Sequence, residues 1–251
     1  MKTSILLDTN ILLSAVLPNN LWKNVIEDFF KELESLLNEK ENLEVNTTEL
    51  IRKEISNIIK GITVFLNEEF RTIIGNLSEH ENSIDREKLK ELQKRFNEAI
   101  ISQHEEKTRD RNRNLLMVIE HYLLQVVKDD PKNSLNEHLL NTLAFINNFE
   151  VQLKNSVEQT LQTYKITKLV SPQNEQGRNR IKELKEQLPM KNNSDKVILS
   201  IFLYHLEQTD MEGWLITHDF GDFHAYAPFL QKEFQQLTIL RPSYLYCFYH
   251  S

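Results

Sequence analysis

One cysteine, Cys247, is the only thiol in the chain, which excludes both an internal disulfide and a thiolate metal site. Glycine is scarce, with 5 residues in 251, and none falls between Gly75 and Gly177. A glycine-rich phosphate loop or dinucleotide fingerprint therefore finds no place here. No run approaches the ~18 uninterrupted apolar residues that mark a membrane span. The opening MKTSILLDTN meets an acid after a short apolar run, too early for a secretion leader. A cytoplasmic location with no membrane partner is the expectation. A basic excess is missing too: 30 Lys and Arg stand against 37 Asp and Glu, a formal net charge of -7. That excludes a broadly basic nucleic-acid coat and leaves room only for a local basic track beside an acidic site.

What is present suits a folded chain. Hydrophobic residues make up 40% and charged residues 27%, enough for a sizeable core under an ordinary polar surface. The length fits one large domain or a compact domain carrying a big insertion. Ile5-Leu6-Leu7 reads as a short buried strand ending at Asp8, with a helix opening at Asn10. Pro18-Asn19-Asn20 precedes a helix over about 21–40, and Leu43-Glu44-Val45 is a second short strand. Thr47 or Thr48 can cap a helix that runs to about Lys60, with Gly61 as its stop.

The middle is helical, with segments near 65–75, 85–127 and 135–165, broken at 76–83 and at Asp129-Asp130-Pro131. A polar linker from Leu169 to Gly177 leads into a short basic helix around 179–187. The end returns to strand and helix. Asn193-Ser194 caps a helix over 195–207, Trp214-Leu215-Ile216-Thr217 is a buried strand, a helix follows near 223–233, and Leu237–Leu240 is a late strand. The predicted class is α/β, with an all-helical insertion between two α/β ends. The boundaries are 1–62 and 189–251 for the α/β core and 63–188 for the insertion.

Several acids sit where a bland surface would not put them. Asp8 directly follows a buried strand, and Asp219 stands just past another; carboxyl ends of parallel strands are where ligands bind. Helix capping is the competing role for each. Glu54 falls by helical phase, about 100° per residue, beside Ile51, Ile55 and Ile58, while Glu49 faces nearly the opposite way. Asp195 shares a face with Ile198, Leu199, Phe202 and Leu206. Burying an unpaired carboxylate is costly, and no lysine or arginine shares either face, so a cation is the economical partner. Asp8, Glu54, Asp195 and Asp219, with Asp222 nearby, can gather into one site. Oxygen-only ligation suits Mg²⁺ or Mn²⁺, and such a cluster serves phosphodiester hydrolysis by an activated water. Without the cation, the crowded acids should hold raised, coupled pKa values.

These residues resemble a known family. Leu7-Asp8-Thr9-Asn10 matches the opening motif of PIN-domain ribonucleases, and Thr48-x-x-Ile51-x-x-Glu54 matches their second-acid helix. Asp195 opening an apolar helix is similar to their third acid, and Thr217-His218-Asp219-Phe220-Gly221-Asp222-Phe223 to their closing motif. Order and phase agree across all four pieces. The resemblance covers roughly 1–60 and 190–245, and the long insertion departs from the small members of the family. His218 stands where small members often carry an arginine or a polar residue.

The resemblance implies a PIN-like three-layer fold around a small central parallel sheet, with acids converging on Mg²⁺ or Mn²⁺ at the sheet's carboxyl edge. It implies that Asp8, Glu54, Asp195 and Asp219 are catalytic metal ligands, directly or through water, with Asp222 a more peripheral fifth. Asn10 would hydrogen-bond the acids or substrate, and Thr217 would position the cluster. The implied activity is an endoribonuclease that leaves 5′-phosphate and 3′-hydroxyl ends on single-stranded or structured RNA. It would be a toxin of a toxin–antitoxin pair, with an antitoxin protein as partner, or an RNA-processing enzyme. A DNA or structure-specific nuclease, a non-catalytic RNA-binding scaffold and a homo-oligomer stay open.

Basic residues supply candidate phosphate contacts. Between Lys165 and Lys196 eight basic residues face four acidic ones, and Arg178, Arg180, Lys182 and Lys185 lie just before the Asp195 helix. Lys107, Arg109, Arg111 and Arg113 form a second, diluted run. A solvated face of mixed sign is the alternative for both. His104 and His121 read as solvated or packing residues, and His205 and His224 lack ligand spacing to each other. The tail Tyr244-Leu245-Tyr246-Cys247-Phe248-Tyr249 can stack bases or pack against the fold or a partner.

Overall fold

A computed structural model describes residues 2–18, 23–75, 86–103, 108–130 and 133–245. The chain divides into two compact units, one formed by Met1–Val16, Leu21–Ser56 and Ser156–Ser251, the other by Leu17–Asn20 and Asn57–Asn155. Residues 156–188, placed with the insertion on sequence pattern, group with the first unit.

The first unit is built on a parallel five-stranded sheet. Strands β1 (Thr3–Leu7), β2 (Leu43–Thr48), β3 (Thr167–Leu169), β4 (Glu212–Ile216) and β5 (Leu237–Leu240) lie in the order β3-β2-β1-β4-β5. Every pairing is parallel, with Ile5 opposite Val45 on one side and Trp214 on the other. β1 is buried along its whole length, which explains the apolar run Ile5-Leu6-Leu7 within it: a central strand of such a sheet has both faces covered. β3 has only three residues, two of them exposed, on the sheet's edge. It carries no apolar pattern, which is why the sequence reads as a linker there.

The crossovers are helical: α1 (Thr9–Val16), α2 (Lys23–Glu39), the start of α3 (Glu49–Ile74), α7 (Glu175–Gln187), α8 (Asn193–Thr209) and α9 (Ala225–Glu233). α8 buries Ile198, Leu199, Phe202 and Leu206, one apolar stripe at helical spacing. Its cap is Asn192, one residue before the expected pair, with the side-chain oxygen accepting from Ser194 N at 2.9 Å. α7 likewise starts earlier than expected because Asn174 caps it, accepting from Gly177 N at 2.7 Å. Gly213 in β4 lets α8 pack close: a Cβ there would meet Leu206 Cδ1 at 2.3 Å.

In the second unit α3 continues past Gly61, so that residue does not stop the helix. Ile59 before it is buried, and Ile62, Leu66, Phe70 and Ile73 extend the buried stripe beyond it. That burial outweighs the ~1 kcal/mol cost of one helical glycine. The segment expected at 85–127 is two helices, α4 (Arg86–Ile101) and α5 (Arg109–Asp129), which pack together; α6 (Leu135–Thr163) completes the set. Phe70 meets Phe96 at 6.3 Å between centroids, and Tyr122 stacks on Phe145 at 4.0 Å. Among the described residues, no helix is long and apolar enough to cross a membrane.

Candidate metal centre

The strand order reverses between β1 and β4, so their crossovers leave in opposite directions and open a crevice at the carboxyl edge. The residues that follow these two strands, Asp8 and Thr217, meet there. Asp8 Oδ1 accepts from the backbone N of Thr9, the first residue of α1, at 2.7 Å. Its Oδ2 accepts from the Thr217 hydroxyl at 2.6 Å and from Asn10 Nδ2 at 2.7 Å. Thr217 is fully buried, and its hydroxyl oxygen also accepts from Asp219 N at 2.9 Å. Asn10 Oδ1 accepts from His218 N at 3.1 Å, so one amide ties the two loops together.

Glu54 arrives from α3. Thr48 is the residue that caps this helix, its hydroxyl accepting from Ile51 N at 3.1 Å. Glu54 is half-buried, and its Oε2 accepts from the Thr9 hydroxyl at 2.7 Å. Thr9 is thus a contact that reading for acids alone misses, although it sits inside the Asp8-Thr9-Asn10 triplet. Glu49, as expected, is exposed.

Asp195 lies in the first turn of α8 and is buried, and its Oδ2 has no hydrogen-bond partner among the described residues. Asp219 caps a single π-helical turn, Phe220–His224, its Oδ1 accepting from Gly221 N at 2.7 Å and Asp222 N at 3.0 Å. That turn carries Asp222 back toward Asp195. Asp195, Asp219 and Asp222 each offer a carboxylate oxygen within 4.8 Å of the others. Among the described residues this is the group able to hold a metal ion; Asp8 and Glu54 flank it. Asp222 therefore belongs to the tightest set, and a π turn is not a spacing that sequence phase reveals.

The electrostatics match the geometry. Burial pushes Asp8 up to about 6; hydrogen bonds from Thr217 and Thr9 oppose the shift, and the charges of Asp219 and Glu54 add to it. Asp195 rises to about 7, first through burial and then through the charges of Asp8, Asp219, Asp222 and Glu54. Two carboxylates within 4.8 Å of each other repel by at least roughly 3 kcal/mol at an effective dielectric of about 20. A divalent cation removes that cost and gives the unpartnered Asp195 oxygen a partner. The donor set is all oxygen, the choice of a hard cation.

The other candidates lie as follows. Arg180 clamps α7 to α8: Nε and Nη2 donate to the two Glu207 oxygens at 3.0 and 2.7 Å, and Nη1 to Glu183 at 3.0 Å. Arg178 and Lys182 are exposed on α7, and Lys185 is half-buried. In the second unit Arg109 pairs with Asp110, Arg111 donates to Asn112 Oδ1, and Arg113 Nε donates to Ile100 O at 3.0 Å. His121 is exposed, and His205 Nε2 lies 2.5 Å from Glu44. Lys107, His104 and residues 246–249 of the aromatic tail, Cys247 included, lie outside the described residues.

Beside the acids, His224 Nε2 lies 3.1 Å from Thr217 O. Burial, with His224 and Arg241 adding to it, holds His218 below the usual imidazole range. Comparison with known protein families, with curated proteins and with solved structures gives no match.

Proposed function

We propose that the chain is a Mg²⁺- or Mn²⁺-dependent endoribonuclease of the PIN-like kind. The observation that carries this reading is the buried, unpartnered Oδ2 of Asp195 within a three-carboxylate group at the sheet's switch point. Asp195, Asp219 and Asp222 would hold the cation, with Asp8 and Glu54 completing the set directly or through water. When bound, the cation supplies Lewis acidity and a more acidic water for attack on the phosphodiester.

The chain's own groups do the rest. Thr217 and Asn10 fix Asp8 in one orientation, so its charge needs no rearrangement as the reaction proceeds. Thr9 does the same for Glu54. The turn after Asp219 locks that carboxylate with two backbone N–H donors. A rigid, pre-arranged acid set binds a cation without first ordering its ligands.

The test is cleavage of matched single-stranded RNA and DNA oligonucleotides in Mn²⁺ or Mg²⁺ by wild type, Asp8→Asn and Asp195→Asn. The expected result is divalent-dependent RNA cutting that falls at least about 100-fold in both variants. Cutting that persists unchanged in both would place the chemistry elsewhere. Equal cutting of DNA would widen the substrate class to nucleic acid in general.

A further inference from the structure

Three aromatic side chains are about half exposed among the described residues, Phe220, Phe229 and Tyr244; Phe220 directly follows the acid Asp219, and Tyr244 lies just past β5. Phe220 is bonded directly to Asp219 and is 49% exposed; Tyr244 is 51% exposed. Between them reaches Arg241, whose guanidinium carbon lies 4.3 Å from the Phe220 ring centre and 5.8 Å from that of Tyr244. Arg241 directly follows β5, and β5 ends beside β4, where Thr217 N donates to Leu240 O at 3.1 Å. Arg241 therefore emerges at the same carboxyl edge as the acids.

Arg241 is held differently from the arginines that make ion pairs. Arg52, Arg95, Arg109 and Arg180 each have a carboxylate within reach. Among the described residues none lies within ion-pair distance of Arg241, which rests on rings instead. A guanidinium without a carboxylate partner is available to an anion, and its plane, like the rings, can take a flat heteroaromatic face. Burying Phe220 and Tyr244 in a core would stabilise the fold; leaving both exposed around a cation next to a metal centre suits a ligand with an anionic chain and planar groups.

We infer that Phe220, Arg241 and Tyr244 form a substrate subsite beside the scissile bond, stacking an unpaired nucleobase and pairing its phosphate. The inference rests on the nuclease reading for its substrate and adds to it the place where an unpaired base and its phosphate are held. Bases in a duplex are stacked on one another and do not present a face to protein rings. Phosphate pairing by Arg241 also brings a positive charge to an edge that is otherwise acidic in a chain of net charge -7.

The test uses the full chain with a short RNA carrying 2-aminopurine, binding measured in Ca²⁺ and cleavage in Mn²⁺. Wild type should quench the 2-aminopurine on a single strand and not on the matched duplex. Phe220→Leu should weaken single-strand binding about tenfold and lose the quench, and Phe220→Trp should restore both. Arg241→Gln should weaken binding and flatten its salt dependence. Stabilisation by Mn²⁺ should be unchanged in these variants, which shows that they fold with the acid group intact. Equal affinity and quenching in wild type and Phe220→Leu, with Mn²⁺-dependent cleavage retained by both, would overturn the subsite and leave the nuclease reading standing. Tight, quenching binding by a wild type that cuts nothing would support the subsite and sink the nuclease.

Discussion

Thr217 carries two duties on one oxygen, donating to Asp8 Oδ2 and accepting from Asp219 N. Valine has its shape and neither function. Thr217→Val leaves a buried Asp8 oxygen short of a donor and frees the loop that sets Asp219. The expected cost is about 1–3 kcal/mol of stability, read by urea unfolding above neutral pH. Because the Thr217 hydrogen bond holds the Asp8 pKa down, the variant should also titrate Asp8 higher than about 6. Asp195 makes the opposite case. Its folded pKa of about 7 lies above the ordinary 3.8, so between these values the folded chain binds more protons than the unfolded one. Its contribution to stability therefore falls as pH rises through that window. Asp195→Asn, which cannot ionise, should be more stable than wild type in EDTA by on the order of 2 kcal/mol at about pH 8, and equal to it at about pH 4. Denaturant unfolding at the two pH values checks this. A variant less stable than wild type at the higher pH would contradict it.

At the scale of elements, the structure separates what burial writes into a sequence from what it does not. β1 and β4 are legible because burial on both faces leaves each a consecutive apolar run, Ile5-Leu6-Leu7 and Trp214-Leu215-Ile216, and the phase of Glu54 and Asp195 is legible because α3 and α8 each bury one stripe. Other features leave no such mark. The edge strand β3 follows from its neighbour's backbone, the π turn that delivers Asp222 follows from Asp219 capping it, and the continuation of α3 through Gly61 follows from packing further along. Gly61 gives a direct check. A Cβ there meets nothing within 4 Å. Gly61→Ala should therefore stabilise the protein by up to about 1 kcal/mol, by removing backbone freedom from the unfolded chain. A lower unfolding midpoint for the alanine variant would mean that the site needs a glycine for a reason other than space.

At the scale of the molecule, a sheet with a reversal between β1 and β4 gathers side chains from both ends of the sequence into one crevice. Asp8 and Asp219 are 211 positions apart in the chain, yet one threonine hydroxyl links them. The candidate site was therefore legible only as a set: Asp8 and Asp219 each have a capping role to explain them alone, and Asp219 does in fact cap. What singles the group out is that Asp195 Oδ2 is buried and unpartnered among the described residues, in a residue whose pKa is raised by burial and by the neighbouring acids. The central claim is that this group holds a divalent cation, and calorimetric titration of Mn²⁺ into the EDTA-stripped protein tests it most directly. Because burial and the neighbouring acids raise Asp195 to about 7, saturable binding at about pH 6 should release protons, making the measured heat depend on the buffer's own ionisation enthalpy. Asp195→Asn should abolish or severely weaken that binding. Absence of saturable binding, or binding of equal strength in Asp195→Asn, would contradict the account.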